Sequence, residues 1–208
     1  MKDLLTKTAI SAGAGTLVYL VLFFFVDRAT VLWIHNNCSE TWIPVVGRYI
    51  SVLAEGSYVN LGLALCFVLI LICDSGVRRR ETKLLLYICI CGVIAMTIGD
   101  GLKYLLARYR PVMLFDQDLY GLHFFSTKWA MNSTPSGHTL RAFSTMTALS
   151  MLFRRFTIVF ISIAVAIGLS RVALTDHYPS DVLFGAFIGI FTALWTFVHF
   201  LGEDKQPQ

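Results

Sequence analysis

Ser170-Arg171-Val172-Ala173-Leu174-Thr175-Asp176-His177-Tyr178-Pro179-Ser180-Asp181 joins two long apolar segments of a 208-residue chain. The stretch holds a guanidinium (Arg171), an imidazole (His177) and two carboxylates (Asp176 and Asp181). Charged groups at the edge of a bilayer are costly and tend to face a protein interior or a water-filled cavity, so each is a candidate site residue. His177 and Asp181 are four residues apart. If Pro179 opens the second helix, as proline at a first turn does, both side chains can face one pocket. A carboxylate beside an imidazole can hold one ring nitrogen protonated and free the other to attack. The plainer alternative is a snorkelling arginine beside a surface His–Asp pair.

The flanks set the fold class. Residues 156–174 and 181–201 are each apolar over about the 20 residues that a helix needs to cross a bilayer. The whole chain is 56% hydrophobic and 14% charged, with a mean hydropathy of +0.69. Soluble domains carry about 25% charged residues. A polytopic, all-α membrane protein of one domain, 1–208, is therefore expected. Helices are required because a lipid-exposed segment must satisfy its own backbone, and a β-barrel would show alternation instead of continuous apolar runs. Six spans are predicted, at residues 8–26, 58–73, 84–106, 136–153, 156–174 and 181–201. Residues 29–57, with Trp33, Trp42, Pro44 and Arg48, read as a short interfacial or re-entrant helix after the first span. Asp27-Arg28 follows that span in place of a small-residue cleavage motif, so it reads as a retained anchor, not a signal peptide.

Arg78, Arg79, Arg80 and Lys83, the Arg154-Arg155 turn, and Lys2, Lys7 and Lys205 fall on one side of this layout. That side is expected to be cytoplasmic, with both termini on it. The net charge of +4 is thereby a matter of topology and not a nucleic-acid signal. The five cysteines (Cys38, Cys66, Cys73, Cys89 and Cys91) have no framework spacing, which argues against structural disulfides.

Two further polar clusters lie on the outer side with the opening stretch. In Lys103-Tyr104-Leu105-Leu106-Ala107-Arg108-Tyr109-Arg110-Pro111, Lys103 and Arg110 are about two helical turns apart and point one way if the helix continues. Converging cations suit an anion with several oxygens, and arginine matches phosphate with a bidentate fork. Snorkelling explains Arg108 and Arg110 equally well, but not Lys103, which apolar runs flank. Pro135-Ser136-Gly137-His138 opens a span, and a helix N-terminus is a ready anion site. Gly137 lets the backbone approach closely, and His138 on the first turn can donate a proton. A simple Ser136 cap with an incidental histidine is the alternative. Together Lys103, Arg110, Arg171, Ser136, Gly137, His138, His177 and Asp181 favour a phosphate-handling site. Asp100 and Arg141 are expected in a supporting shell. His123, Tyr120 and Lys128, in the loop 107–135, are candidates for headgroup contact. His35 and His199 read as interfacial, and Asn37 and Asn132 sit in glycosylation-like triplets.

The combination Lys103-x6-Arg110-Pro111, Pro135-Ser136-Gly137-His138 and Ser170-Arg171-x5-His177-x3-Asp181 resembles the three-part signature of the type 2 phosphatidic acid phosphatase (PAP2) superfamily, in its membrane lipid phosphatase branch. The resemblance implies that His177 is the nucleophile and forms a phosphohistidine, that Asp181 orients it, and that His138 protonates the leaving oxygen. It also implies that Lys103, Arg110, Arg171, Ser136 and the Gly137 N–H hold the phosphoryl oxygens without any metal or cofactor. The implied substrate is a membrane lipid phosphomonoester or diphosphate: undecaprenyl diphosphate, phosphatidylglycerol phosphate, phosphatidic acid or a lipid A phosphate. The implied setting is a bacterial inner membrane with the site on the periplasmic face, with the bilayer as partner and no obligate protein partner or nucleic acid. A lipid phosphotransferase using the same intermediate, or a non-catalytic lipid or anion transporter, is the alternative.

Overall fold

The structure is a computed structural model and describes residues 2–202. The expected cytoplasmic tail with Lys205 lies outside the described residues.

The described chain is almost entirely helical. In order it runs α1 (Lys2–Val21), a π-helical turn (Leu22–Val26), α2 (Asp27–Cys38), α3 (Ile43–Val52), α4 (Gly56–Asp74), α5 (Arg80–Leu106), α6 (Pro111–Gln117), a 3-10 turn (Trp129–Met131), α7 (Gly137–Leu152), a 3-10 turn (Arg154–Phe156), α8 (Thr157–Ala173) and α9 (Pro179–Leu201). Among the described residues, five helical stretches are long and apolar enough to cross a membrane: Asp3–Cys38, Ile43–Asp74, Arg80–Leu106, Arg154–Ala173 and Pro179–Leu201. The segment expected as the fourth crossing forms α7, which has 16 residues. At 1.5 Å per residue that is about 24 Å, short of the ~30 Å hydrocarbon core.

Three expectations change. The first helix does not stop at Asp27-Arg28; it continues through a π-helical turn to Cys38. Asp27 can stay inside because its carboxylate meets Arg108. Residues 29–57, read as one short interfacial or re-entrant helix, instead hold most of α2, all of α3 with Pro44 in its first turn, and the start of α4. The loop 107–135 also carries structure. It holds α6 and a 3-10 turn, and Arg108 pairs with Leu122 in an isolated antiparallel bridge.

α7 is the central helix. It packs on α5, α8 and α9, and Thr139, Leu140, Ala142, Phe143 and Ser144 are buried there. The α7–α9 contact is very close. A Cβ on Gly185 would lie 2.7 Å from the Ser136 carbonyl oxygen, and one on Gly189 would lie 2.7 Å from the Leu140 carbonyl oxygen. Small residues four apart let two membrane helices approach backbone to backbone. This contact brings the start of α7 against the start of α9, so Ser136 N–H donates to the Asp181 carbonyl at 3.1 Å. The polar clusters gather at this end of the bundle, and the basic turns at Arg78–Arg80 and Arg154–Arg155 lie at the other.

Candidate active site

His177 lies in the short connection between α8 and α9 and is 2% exposed. Pro179 opens α9 as the spacing predicts, with Tyr178 at the cap. His177 Nδ1 lies 2.7 Å from the Ser133 carbonyl oxygen. A carbonyl only accepts, so Nδ1 carries the proton and Nε2 keeps the lone pair. This selects the nitrogen able to attack.

The expected direct contact with Asp181 is not made. Asp181 Oδ2 is 3.8 Å from His177 Nδ1, too long for a hydrogen bond. Ser133 stands between them. Its carbonyl takes the ring N–H, and its hydroxyl donates to Asp181 Oδ2 at 2.5 Å. The same carboxylate oxygen accepts the Tyr178 N–H at 3.0 Å. Asp181 thus fixes the segment that holds His177 and acts on the ring through Ser133 and through its charge.

Behind Asp181 stands Arg108. Sequence reasoning allowed it as a snorkelling cation, but it is fully buried, with 0% side-chain exposure. Its Nη1 donates to Asp181 Oδ1 at 2.7 Å and Ser180 Oγ at 2.6 Å; its Nη2 donates to Asp27 Oδ2 and the Tyr120 hydroxyl, both at 2.8 Å. The guanidinium also lies over the rings of Tyr178, at 4.2 Å, and Phe23, at 4.5 Å. Nearby Asp181 and the other acidic groups hold its proton even more firmly than usual despite burial. Tyr120, a candidate for headgroup contact, is part of this network.

Lys103 and Arg110 do not share a helix. α5 ends at Leu106, with Ala107 left-handed at φ 41°, and Arg110 returns to the site through the loop. It is buried and donates to three carbonyls: Trp129 at 3.0 Å, Asn132 at 3.3 Å and Asp176 at 3.4 Å. Its guanidinium lies 4.5 Å over the Trp129 ring. None of these partners is a carboxylate, and burial pulls its proton affinity below the ordinary value. An anion would supply the missing countercharge. Arg171 has a countercharge, Asp176 at 2.6 Å, and also reaches Ser51 Oγ. Its Nε is buried without an acceptor.

Lys103 reaches toward α7. Its Nζ would lie 2.9 Å from a Cβ on Gly137, so the missing side chain leaves room for the ammonium at the helix N-terminus. Asp100 is 3.9 Å away, a loose ion pair. Ser136 caps α7 by position only. Its Oγ accepts from Thr139 at 3.0 Å, which leaves its own proton for an anion. Arg141 donates from Nε to the Ala54 carbonyl at 3.0 Å, and its Nη1 would be 3.4 Å from the same Gly137 Cβ. His138 Nε2 lies 3.1 Å from Glu55 Oε2, a partner that sequence reasoning missed. Lys103, Arg110, Arg141, Arg171, Ser136, Gly137, His138 and His177 thus come together at one end of the bundle. His35 stacks on Phe115 and His199 on Trp195. His123 and Lys128 are exposed on the loop, and the loop's nearer contribution is Ser133.

His177 gives a pH signature. Burial, helped by the nearby Arg110 and Arg171 charges against the pull of Asp181, pushes its titration down to about 3. An unfolded imidazole titrates at ~6.5. Between these values only the unfolded chain takes the proton, so this contribution is present above pH ~6.5 and lost as pH falls toward 3. Thermal midpoints measured in detergent should decline as pH drops from 6.5 to 4, and His177→Gln should flatten that slope. An unaltered slope in the variant would mean that the folded protein does not hold His177 neutral.

Comparisons with known proteins identify the family. The PAP2 superfamily profile matches residues 80–203. A lipid A 1-phosphatase of Rhizobium johnstonii is 33% identical over 112 residues, covering 52% of this chain and 46% of the relative. One of Rhizobium etli is 35% identical over 108 residues, covering 51% and 47%. The bacitracin transport permease protein BcrC of Bacillus licheniformis is 30% identical over 121 residues, covering 57% and 58%. The chain therefore spans about half the length of the curated relatives it matches. Among solved structures, Aquifex aeolicus LpxE superposes with a TM-score of 0.56 at 23% identity, covering 83% of this chain and 95% of that one. The transmembrane PAP2-type phosphatidylglycerolphosphate phosphatase of Bacillus subtilis gives 0.56 at 17% identity, covering 94% and 96%. These two likenesses establish the fold. With the profile covering more than half of its length, the chain belongs to the PAP2 superfamily.

Proposed function

We propose that the protein is a metal-independent membrane phosphatase for a lipid phosphomonoester or diphosphate, built as a single domain. The observation that carries the reading is the His177 tautomer. Its Nδ1–H is spent on the Ser133 carbonyl, which leaves an unprotonated Nε2 in a site lined by cations. Nε2 attacks phosphorus, an N–P bond forms, and the bond from phosphorus to the leaving oxygen breaks. His138 gives that oxygen its proton. Water then attacks the phosphohistidine, releases inorganic phosphate and restores Nε2, with His138 now accepting the proton.

Lys103, Arg110, Arg171, the Ser136 hydroxyl and the Gly137 N–H hold the three phosphoryl oxygens as charge develops on them. Such preorganised donors are commonly the largest contribution to catalysis, and here they take the part that magnesium plays in other phosphoryl transfers. Arg171 turns from Asp176 to the phosphate or shares itself between them. Asp100 and Arg141 support Lys103 and the α7 N-terminus. The lipid A 1-phosphatases among the relatives support a lipid phosphate as substrate.

Purified full-length protein should release inorganic phosphate from one or more members of a lipid phosphate panel, and EDTA should leave the rate unchanged. His177→Ala should reduce that rate at least a thousandfold. Loss of activity in EDTA with recovery on adding magnesium would contradict the cation-only mechanism.

We further propose six crossings, with α7 as the short central one, α3 as the interfacial or re-entrant piece, and both termini cytoplasmic. The site then opens on the outer, periplasmic face of a bacterial inner membrane. The separation of the polar clusters from the Arg78–Arg80 and Arg154–Arg155 turns supports this orientation. In a background without native cysteines, a cysteine placed at position 128 should react with an impermeant reagent added to intact cells, and one at position 79 should not. The reverse pattern would put the site in the cytoplasm.

A further inference from the structure

His177 owes its orientation to carboxylate-backed partners, and His138 has a carboxylate of its own. Glu55 lies in the turn between α3 and α4, outside the region that the family profile covers. Its Oε2 is 3.1 Å from His138 Nε2, and its Oε1 accepts the Gly56 N–H at 3.0 Å. The turn is itself pinned, because Arg141 Nε donates to the neighbouring Ala54 carbonyl at 3.0 Å. A Cβ on Gly56 would be 3.5 Å from three atoms of the Arg141 guanidinium, so that group lies flat on the start of α4. Three contacts from two elements therefore hold one carboxylate oxygen at the edge of the imidazole. The Glu55 side chain is 47% exposed and the His138 side chain 14%, so the pair lies at the mouth of the site.

The charge balance around His138 needs such a group. Burial of the ring weighs most against its charged form, and Arg171 from α8 and Arg141 from its own helix add to that, while Glu55 acts the other way. Lys103 from α5 stands beside Gly137, one residue away. All three cations oppose an imidazolium. Asp100 is turned to Lys103 and Asp176 to Arg171. Among the described residues, Glu55 is the carboxylate in hydrogen-bond contact with His138.

We infer that Glu55 is the positioning residue of His138: it orients the ring and favours its charged form against burial and the surrounding cations, so that a proton can be passed to the leaving oxygen. With Nε2–H directed at Glu55, Nδ1–H of the imidazolium is the donor. Proton transfer leaves a neutral ring, still oriented through Nε2–H, whose Nδ1 can take the proton from the attacking water in the second step. The net charge of the pair changes from zero to −1 and back in one turnover. The inference rests on the phosphatase reading for its catalytic meaning, but not for the contact itself.

The test uses full-length protein in detergent with Glu55→Gln, which retains an oxygen for the Gly56 N–H. Two substrates separate the roles. A lipid phosphate ester leaves as a poor leaving alcohol that needs the proton, and nitrophenyl phosphate does not. General acid catalysis contributes roughly 10²–10⁴-fold, so a loss of about tenfold or more in kcat is expected on the lipid ester, against less than about threefold on nitrophenyl phosphate. The basic limb of the kcat profile on the lipid should move to lower pH, and Glu55→Asp should recover part of the loss. Independently, nitrogen NMR of labelled histidine should show the His138 titration moving to lower pH in Glu55→Gln. Equal losses on both substrates, or an unmoved His138 titration, would overturn the assignment. If wild-type protein hydrolysed no lipid phosphate, the phosphatase reading would fail, and the NMR titration would still decide whether Glu55 raises the proton affinity of His138.

Discussion

The guanidinium of Arg108 ties the first helix, the loop after α5 and the start of α9 to one point. Asp27 comes from α2, Tyr120 from the loop, and Ser180 and Asp181 from the first turn of α9. Arg108 and both carboxylates are 0% exposed. A buried charge left without its partner costs about 3–5 kcal/mol, whereas an exposed pair such as Lys7–Asp3 contributes at most about 1 kcal/mol. The network therefore specifies how these three segments meet. The cluster explains the continuation of the first helix past Asp27, and the π-helical turn ends directly before that residue.

The position of His177 follows from this anchor. Arg108 sets the Asp181 carboxylate, Asp181 sets the Ser133 hydroxyl, and the Ser133 carbonyl sets the ring tautomer. The close approach of α7 and α9 at Gly185 and Gly189 supplies the second constraint. It brings the Ser136–Gly137 helix start beside the same turn, so the proposed phosphate donors and the proposed nucleophile share one frame. A shift of either helix would change both at once, which explains why backbone, and not long side chains, forms this contact.

The site was legible in the sequence where its parts are local. Lys103, Arg110, Ser136 to His138, Arg171, His177 and Asp181 occupy three short motifs, and the fold brings those motifs to one end of the bundle. Fold class was legible too, from apolar runs interrupted by charge clusters. The supporting residues were not. Asp27 meets Ser180 across 153 positions and Glu55 meets His138 across 83, and no periodic pattern connects such pairs. Arg108 looked like any cation at a span end. One signal was present: Asp27 ends no helix, although its charge suggested a boundary, and an intramembrane carboxylate calls for a partner. The division of 29–57 between α2 and α3 was hidden by its mixed polarity, and the end of α5 by Ala107, a helix-former held left-handed.

The account depends on His177 carrying the phosphoryl group. Rapid quench of the full-length protein with a lipid substrate labelled in the transferred phosphoryl group tests this directly. An acid-labile, base-stable adduct should form and decay within a turnover, map to His177 by mass spectrometry, and be absent from His177→Ala. An adduct that persists in His177→Ala, or that maps to another side chain, would contradict the assignment of His177 as nucleophile.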